Sequence, residues 1–245
     1  MIEEKIITLK NPQSYLSEIY RRVRTNIEFA SIDTKIKTVN VTSTSADETK
    51  TTTACNLAVM YASKFEKVLL VDSDLRKPTV HRFLNVNNSV GLTDCMLAYS
   101  NQNSDISNIN LNDFIKKIEH PSMTHPLHVM TSGTKINNAA EFLGSNTFKS
   151  LLSVLKDYYD VIIVDSAPSG IIIDGLIVSS CCDATLYITV YNSTKLDQAK
   201  QVIDSLKKAG ANVIGSIIAK TPVHKRLLNR YYYNNYYYRA EEEDE

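Results

Sequence analysis

Six short runs of aliphatic and β-branched residues recur along the chain, at 38–42, 67–72, 127–131, 161–165, 185–190 and 213–218. Helix-like stretches lie between or around them at 50–64, 78–84, 109–119, 146–157, 172–181 and 195–208. Strands alternating with helices imply βαβ units, hence a mostly parallel sheet with helices on both faces. The runs are almost continuously apolar, as strands covered on both faces require. A further helix is expected over 12–30. Asn11 is placed to cap it, Pro12 to occupy its first position, and Tyr15, Ile19, Val23 and Ile27 recur every four residues. At 245 residues the chain is long enough for one α/β domain, expected to span 1–222.

Composition excludes several classes. The chain has 27 basic and 27 acidic residues, so nothing in its net charge suggests a nucleic-acid or membrane-surface binder. No apolar run is long enough to cross a bilayer, and the N-terminus lacks the apolar stretch of a signal peptide. Cys55, Cys95, Cys181 and Cys182 form no CxxC pair and sit in apolar surroundings, so buried free thiols in a reducing compartment are expected. His81 is expected on a helix surface. From 223 onward the composition changes: basic residues, then six tyrosines in eight positions, then an acidic end. This segment, 223–245, reads as a flexible low-complexity tail. An aromatic strand packed on the domain is the alternative, and the missing apolar–polar alternation counts against it.

Three segments carry chemistry. After the first strand comes Thr42-Ser-Thr-Ser-Ala46-Asp47-Glu48-Thr49-Lys50-Thr51-Thr52, opening a helix. That is the place of a phosphate-binding loop: Lys50 reaches outer phosphates, Thr51 ligates Mg²⁺, and the helix start supplies amides and partial positive charge. Taken alone the segment reads equally well as a polar helix start, because its glycines are missing. Only 7 glycines occur in the whole chain. The second segment ends a strand with Asp72-Ser-Asp74-Leu-Arg76, and the third with Asp165-Ser-Ala-Pro. Carboxylates at the C-terminal ends of strands in an open α/β sheet lie where ligands bind. One can hold Mg²⁺, with Thr51, Asp72 and Asp165 as candidates, while another accepts a hydroxyl proton. Asp174 reads as a helix cap or as a further member of the site.

These segments, in this order, resemble the bacterial tyrosine kinases of capsule and exopolysaccharide synthesis, most closely the separate cytoplasmic subunit of Gram-positive bacteria. The likeness runs from about residue 11 to the tail. It implies a P-loop NTPase-like fold and ATP with Mg²⁺ as cofactors. It implies a loop of residues 46–52 around nucleotide and Lys50, Asp72, Asp74 and Arg76 as catalytic residues. It also implies autophosphorylation at Tyr231, Tyr232, Tyr233, Tyr236, Tyr237 and Tyr238. Glu18, Arg21 and Arg24 match the family's ExxRxxR helix, which packs between subunits of a ring. Expected partners are other copies of the chain, a membrane-bound polysaccharide co-polymerase that recruits it to the inner membrane face, and a tyrosine phosphatase, but no nucleic acid. The family's loop carries glycine where this chain has Asp47 and Thr49, and a non-glycine residue held at positive φ costs about 1–2 kcal/mol. A degenerate P-loop protein, acting as scaffold or phospho-acceptor, is therefore the second reading. The septum-site and partition ATPases carry an early second lysine that is absent here.

Overall fold

The computed structural model describes residues 5–31, 35–101 and 109–222. Seven strands form one sheet: β1 Thr38–Ser43, β2 Val68–Asp72, β3 Lys116–Ile118, β4 Leu127–Met130, β5 Val161–Asp165, β6 Ala184–Val190 and β7 Val213–Ala219. Their spatial order is β3-β4-β2-β5-β1-β6-β7. All neighbours are parallel except β3 and β4. The helices are α1 Ile7–Lys10, α2 Tyr15–Ala30, α3 Lys50–Ala62, α4 Val80–Leu84, α5 Leu92–Asn101, α6 Ala139–Leu143, α7 Asn146–Tyr158, α8 Ile173–Cys181 and α9 Leu196–Lys208.

The strand side chains alternate between two apolar layers, as a period of two dictates. Val68, Leu70, Val161 and Ile163 face one core with Val39, Val41 and much of α3. Leu69, Val71, Ile162 and Val164 face the other, with Leu92 and Met96 of α5 and Phe148, Leu151 and Leu155 of α7. β1, β2 and β5 are buried along their whole lengths, so both faces of the sheet's centre are covered. Ile6 and Leu9 add the N-terminal segment to the first core.

All six expected strands form, with ends shifted by no more than a residue or so. Three expectations are corrected. The helix expected over 12–30 starts at Tyr15, because Ser14 rather than Asn11 caps it, its side chain accepting from the Ser17 amide at 3.2 Å. Residues 109–119 are not a helix. After a 3-10 turn at Leu111–Asp113, β3 pairs antiparallel with the open edge of β4. Lys116 and Lys117 suit an edge strand, which charged side chains protect from further pairing. Three helices, α1, α5 and α6, lie where none was expected. Among the thiols, Cys55, Cys95 and Cys182 are buried and Cys181 is half-buried; all four are free. No helix among the described residues is long and apolar enough to cross a membrane. The tail from 223 lies outside the described residues, and with it the expected boundary at 222 and all six tail tyrosines.

Asp183 ties the start of β1 to that of β6. Its carboxylate accepts from the amides of Lys37 and Thr38, both at 2.9 Å, and from Lys156 Nζ at 2.6 Å. Partial burial opposes its ionisation, but Lys156 and the two amides overcome this and hold the carboxyl below the usual carboxylate range. A depressed folded-state pKa contributes stability above the unfolded pKa and loses it as pH falls. Asp183→Asn is expected to lower stability by about 1–2 kcal/mol at neutral pH. Urea unfolding should show that gap closing as pH drops below about 4.

Candidate functional site

The parallel register places the two strand-end carboxylates side by side. Asp72 is the direct partner of Asp165 across β2 and β5, and Val41 of β1 is the partner of Asp165 on its other side. The chain leaving β1 therefore rises next to Asp165, one strand away from Asp72, before it turns into α3. Asp72 is 0% exposed and Asp165 1%. Burial, then the neighbouring Asp165, raises the Asp72 pKa well above the usual range. Burial pushes Asp165 up to about 7, against the lowering effects of the Thr51 hydrogen bond and Lys50.

Each carboxylate has a different set of partners. Thr51, in the first turn of α3, donates its hydroxyl to Asp165 Oδ2 at 2.6 Å, and its Oγ1 lies 2.9 Å from the Thr79 hydroxyl. Asp165 Oδ1 is buried with no hydrogen-bond partner among the described residues. Asp72 accepts from the amides of Thr79 and Val80, both at 3.1 Å, and of Asp74 at 3.2 Å. It thus holds the chain between β2 and α4 in place. Asp74 accepts from the Lys77 amide at 3.0 Å; burial raises its pKa, and that amide and Lys50 oppose the rise.

A cleft of about 370 Å³ opens above them. Ala46, Asp47, Thr49, Lys50, Thr51 and Thr52 form one wall, Asp74, Arg76, Lys77 and Thr79 the second, and Pro168, Ile171 and Ile172 a third. Of the residues expected to bind nucleotide, Glu48 alone does not line it. Glu48 faces inward instead: one oxygen accepts from the Ser45 amide at 2.7 Å, the other from the Thr194 hydroxyl in the turn after β6. Nor do Asp72 and Asp165 line the cleft; both carboxylates lie beneath it.

The loop holds the conformation that glycine would favour. Asp47 and Thr49 have φ of 60° and 65°. Aspartate tolerates this region, whereas a β-branched residue there is an outlier. Thr44, by contrast, is absent from the positive-φ positions. The Thr49 hydroxyl does not offset this strain, because it is buried without a hydrogen-bond partner among the described residues. Gly170 holds the loop from outside: a Cβ there would meet the Thr44 carbonyl at 2.4 Å.

Two contacts in the site were not assigned from the three segments, the Arg76–Asp174 pair and the place of Thr79 beside Thr51. Arg76 reaches across to Asp174, with Nε–Oδ2 at 2.7 Å and a second bond at 3.1 Å. The cap of α8 is Ile172, so Asp174 is a partner of Arg76 rather than a helix cap. Its signal was a lone carboxylate at the start of an apolar helix. Thr79 carried no signal beyond its position after Pro78. Glu18, Arg21 and Arg24 lie on α2 and none lines the cleft. Glu18 pairs with Arg21, while Arg24 lies 3.3 Å from Glu28 and donates at 2.7 Å to the Met60 carbonyl near the end of α3.

These features fit a nucleotide with a divalent cation. An unpartnered carboxylate oxygen beside a hydroxyl offers hard oxygen ligands. The α3 start offers amides and Lys50 offers a cation toward phosphates. The fold and the loop together define a P-loop NTPase-like protein. The sequence matches the AAA domain family over residues 36–214. It is 36% identical over 217 residues to the tyrosine-protein kinase YwqD of Bacillus subtilis, covering 89% of this chain and 86% of that protein. Among solved structures, the chimerical protein CapA2B2 superposes with a TM-score of 0.79 at 30% identity, covering 90% of this chain and 91% of that one. The kinase domain of Escherichia coli tyrosine kinase ETK gives 0.78 at 25% identity, over 90% and 81%. The chain belongs to the bacterial tyrosine-protein kinases, within the AAA domain family.

Thr49→Gly should relieve the left-handed strain at the cost of some unfolded-state entropy. The net expectation is a gain of about 0.5–1 kcal/mol in urea unfolding. A loss of stability would mean that Thr49 does not adopt positive φ in solution.

Proposed function

We propose that the chain is an ATP- and Mg²⁺-dependent protein-tyrosine autokinase that phosphorylates the C-terminal tyrosines of another copy of itself. The observation that carries this reading is the meeting of Lys50, Thr51, Asp74 and Arg76 on one cleft, above the unpartnered Asp165 Oδ1. Thr51 and Asp165 are the groups suited to hold Mg²⁺, whose chemistry when bound is to neutralise phosphate charge. Lys50 offsets further charge on the outer phosphates. Asp72 fixes the 73–80 segment through its amide contacts. Asp74, at the cleft wall, orients the incoming tyrosine and accepts its proton. The phenolic oxygen then forms a bond to the γ-phosphorus, and the bond to ADP breaks. Arg76, held by Asp174, completes the wall beside Asp74.

The retained left-handed backbone at Asp47 and Thr49 favours a loop still shaped for phosphate over a scaffold that has lost its ligand. The names of the relatives support the kinase reading: YwqD and the CpsD protein of Streptococcus pneumoniae are both tyrosine-protein kinases. By the same resemblance, Glu18, Arg21 and Arg24 join copies into a ring. A membrane-bound polysaccharide co-polymerase recruits the chain to the inner membrane face, and a cognate phosphatase reverses the modification. The process served is capsule or exopolysaccharide synthesis.

A mixing assay tests transfer between copies. One chain carries Lys50→Met with its tyrosines intact; the other is unaltered except that its six tail tyrosines are phenylalanine. Phosphotyrosine on the Lys50→Met chain, only when both are present with ATP and Mg²⁺, is expected. No signal, together with calorimetry showing no ATP binding to the unaltered chain, would replace this proposal with the scaffold reading.

A further inference from the structure

On the other side of the 73–80 segment lies a second cavity, of about 360 Å³. It shares Arg76 and Lys77 with the nucleotide cleft as a common wall, and adds His81, Arg82 and Lys135. Among the described residues no carboxylate lines it. The nearby carboxylates are each engaged elsewhere. Asp174 offsets Arg76. Asp74 accepts from the Lys77 amide, and Asp94 from Gly91 and Thr134. Lys77, Arg82 and Lys135 form no ion pair with any described residue. Lys5 adds a further ammonium nearby, donating to the Arg82 carbonyl at 3.0 Å. His81 Nδ1 is buried there without a hydrogen-bond partner among the described residues. A concave surface with several uncompensated cations focuses positive potential and attracts an anionic ligand.

The chain itself carries such a ligand. Residues 241–245 are five consecutive acids, Glu-Glu-Glu-Asp-Glu, and without them it would have 27 basic against 22 acidic residues. They begin three positions after Tyr238, the last tyrosine of the tail. An extended chain covers at most about 10 Å over three residues and about 24 Å over seven. A Tyr238 placed at Asp74 therefore brings the acidic run within reach of the adjoining cavity.

We infer that the cavity bounded by Lys77, His81, Arg82 and Lys135 is a docking site for the acidic C-terminal segment, residues 241–245, of another copy of this chain, seating the tail while its tyrosines enter the cleft. The inference rests on the between-copy kinase reading for its purpose, but its test does not need catalysis.

A fluorescent peptide of residues 234–245 is titrated by anisotropy into the full-length protein, whose own five terminal acids are neutralised (Glu241→Gln, Glu242→Gln, Glu243→Gln, Asp244→Asn, Glu245→Gln) so that they do not compete. The expected result is binding that weakens with salt and is at least tenfold weaker for the same peptide with its acids amidated. Arg82→Glu with Lys135→Glu in the protein should weaken the acidic peptide at least tenfold, and a peptide with five lysines should then bind that variant. Both side chains are exposed, and the milder Arg82→Gln with Lys135→Gln, expected to give a threefold loss, serves if the reversal does not fold. Equal affinity for acidic and neutral peptides, or no response to either double variant, overturns the proposal. Peptide binding that persists where the mixing assay gives no phosphotyrosine would uphold the docking site while removing the kinase reading.

Discussion

Two carboxylates without solvent, Asp72 and Asp165, end neighbouring parallel strands in register. Burying charge is costly unless something compensates it. Compensation is divided. Asp72 is served by backbone amides from the segment that follows it, so its burial organises the 73–80 wall. Asp165 has one hydroxyl, from Thr51, and one oxygen without a hydrogen-bond partner among the described residues. A soluble core would normally satisfy such an atom. That oxygen, beside Lys50 and the start of α3, is a hard ligand of the kind a divalent cation takes.

The loop above these carboxylates shows how geometry outlasts the residues usually chosen for it. Asp47 and Thr49 occupy left-handed backbone that glycine would adopt without strain. The surrounding contacts enforce it: Glu48 is clamped between the Ser45 amide and Thr194, and the Thr44 carbonyl leaves no room for a side chain at Gly170. Strain of this kind persists only where the surroundings over-determine it. In a chain with few glycines, one is kept at the close approach and two are dispensed with at the turn.

The centre of the sheet was legible because β1, β2 and β5 are buried on both faces, and β2 and β5 are written as apolar runs that each end in an aspartate. The three segments of the cleft were legible for the same reason, since strand ends and helix starts locate Lys50, Thr51, Asp74 and Asp165 before any coordinates do. What escaped depends on contacts remote in sequence. The isoleucines and lysines of 115–118 have helical spacing, but the open edge of β4 makes them a strand. Asp174 finds Arg76 across 98 positions, a pairing no local pattern announces. The start of α2 turned on a single serine three residues beyond the asparagine that also fits a cap. For α5 a local sign existed, in Gly91 followed by Asp94, whose carboxylate accepts from the Gly91 amide at 2.8 Å.

The claim that most needs testing is that Asp165 and Thr51 form a cation site on which nucleotide binding depends. ATP affinity should be measured by calorimetry with Mg²⁺ and with EDTA, for the unaltered chain and for Asp165→Asn. The account predicts that Mg²⁺ tightens binding at least tenfold in the unaltered chain and has little effect in the variant, a difference of about 1.4 kcal/mol or more. Equal dependence on Mg²⁺ in both proteins, or none in either, would contradict it.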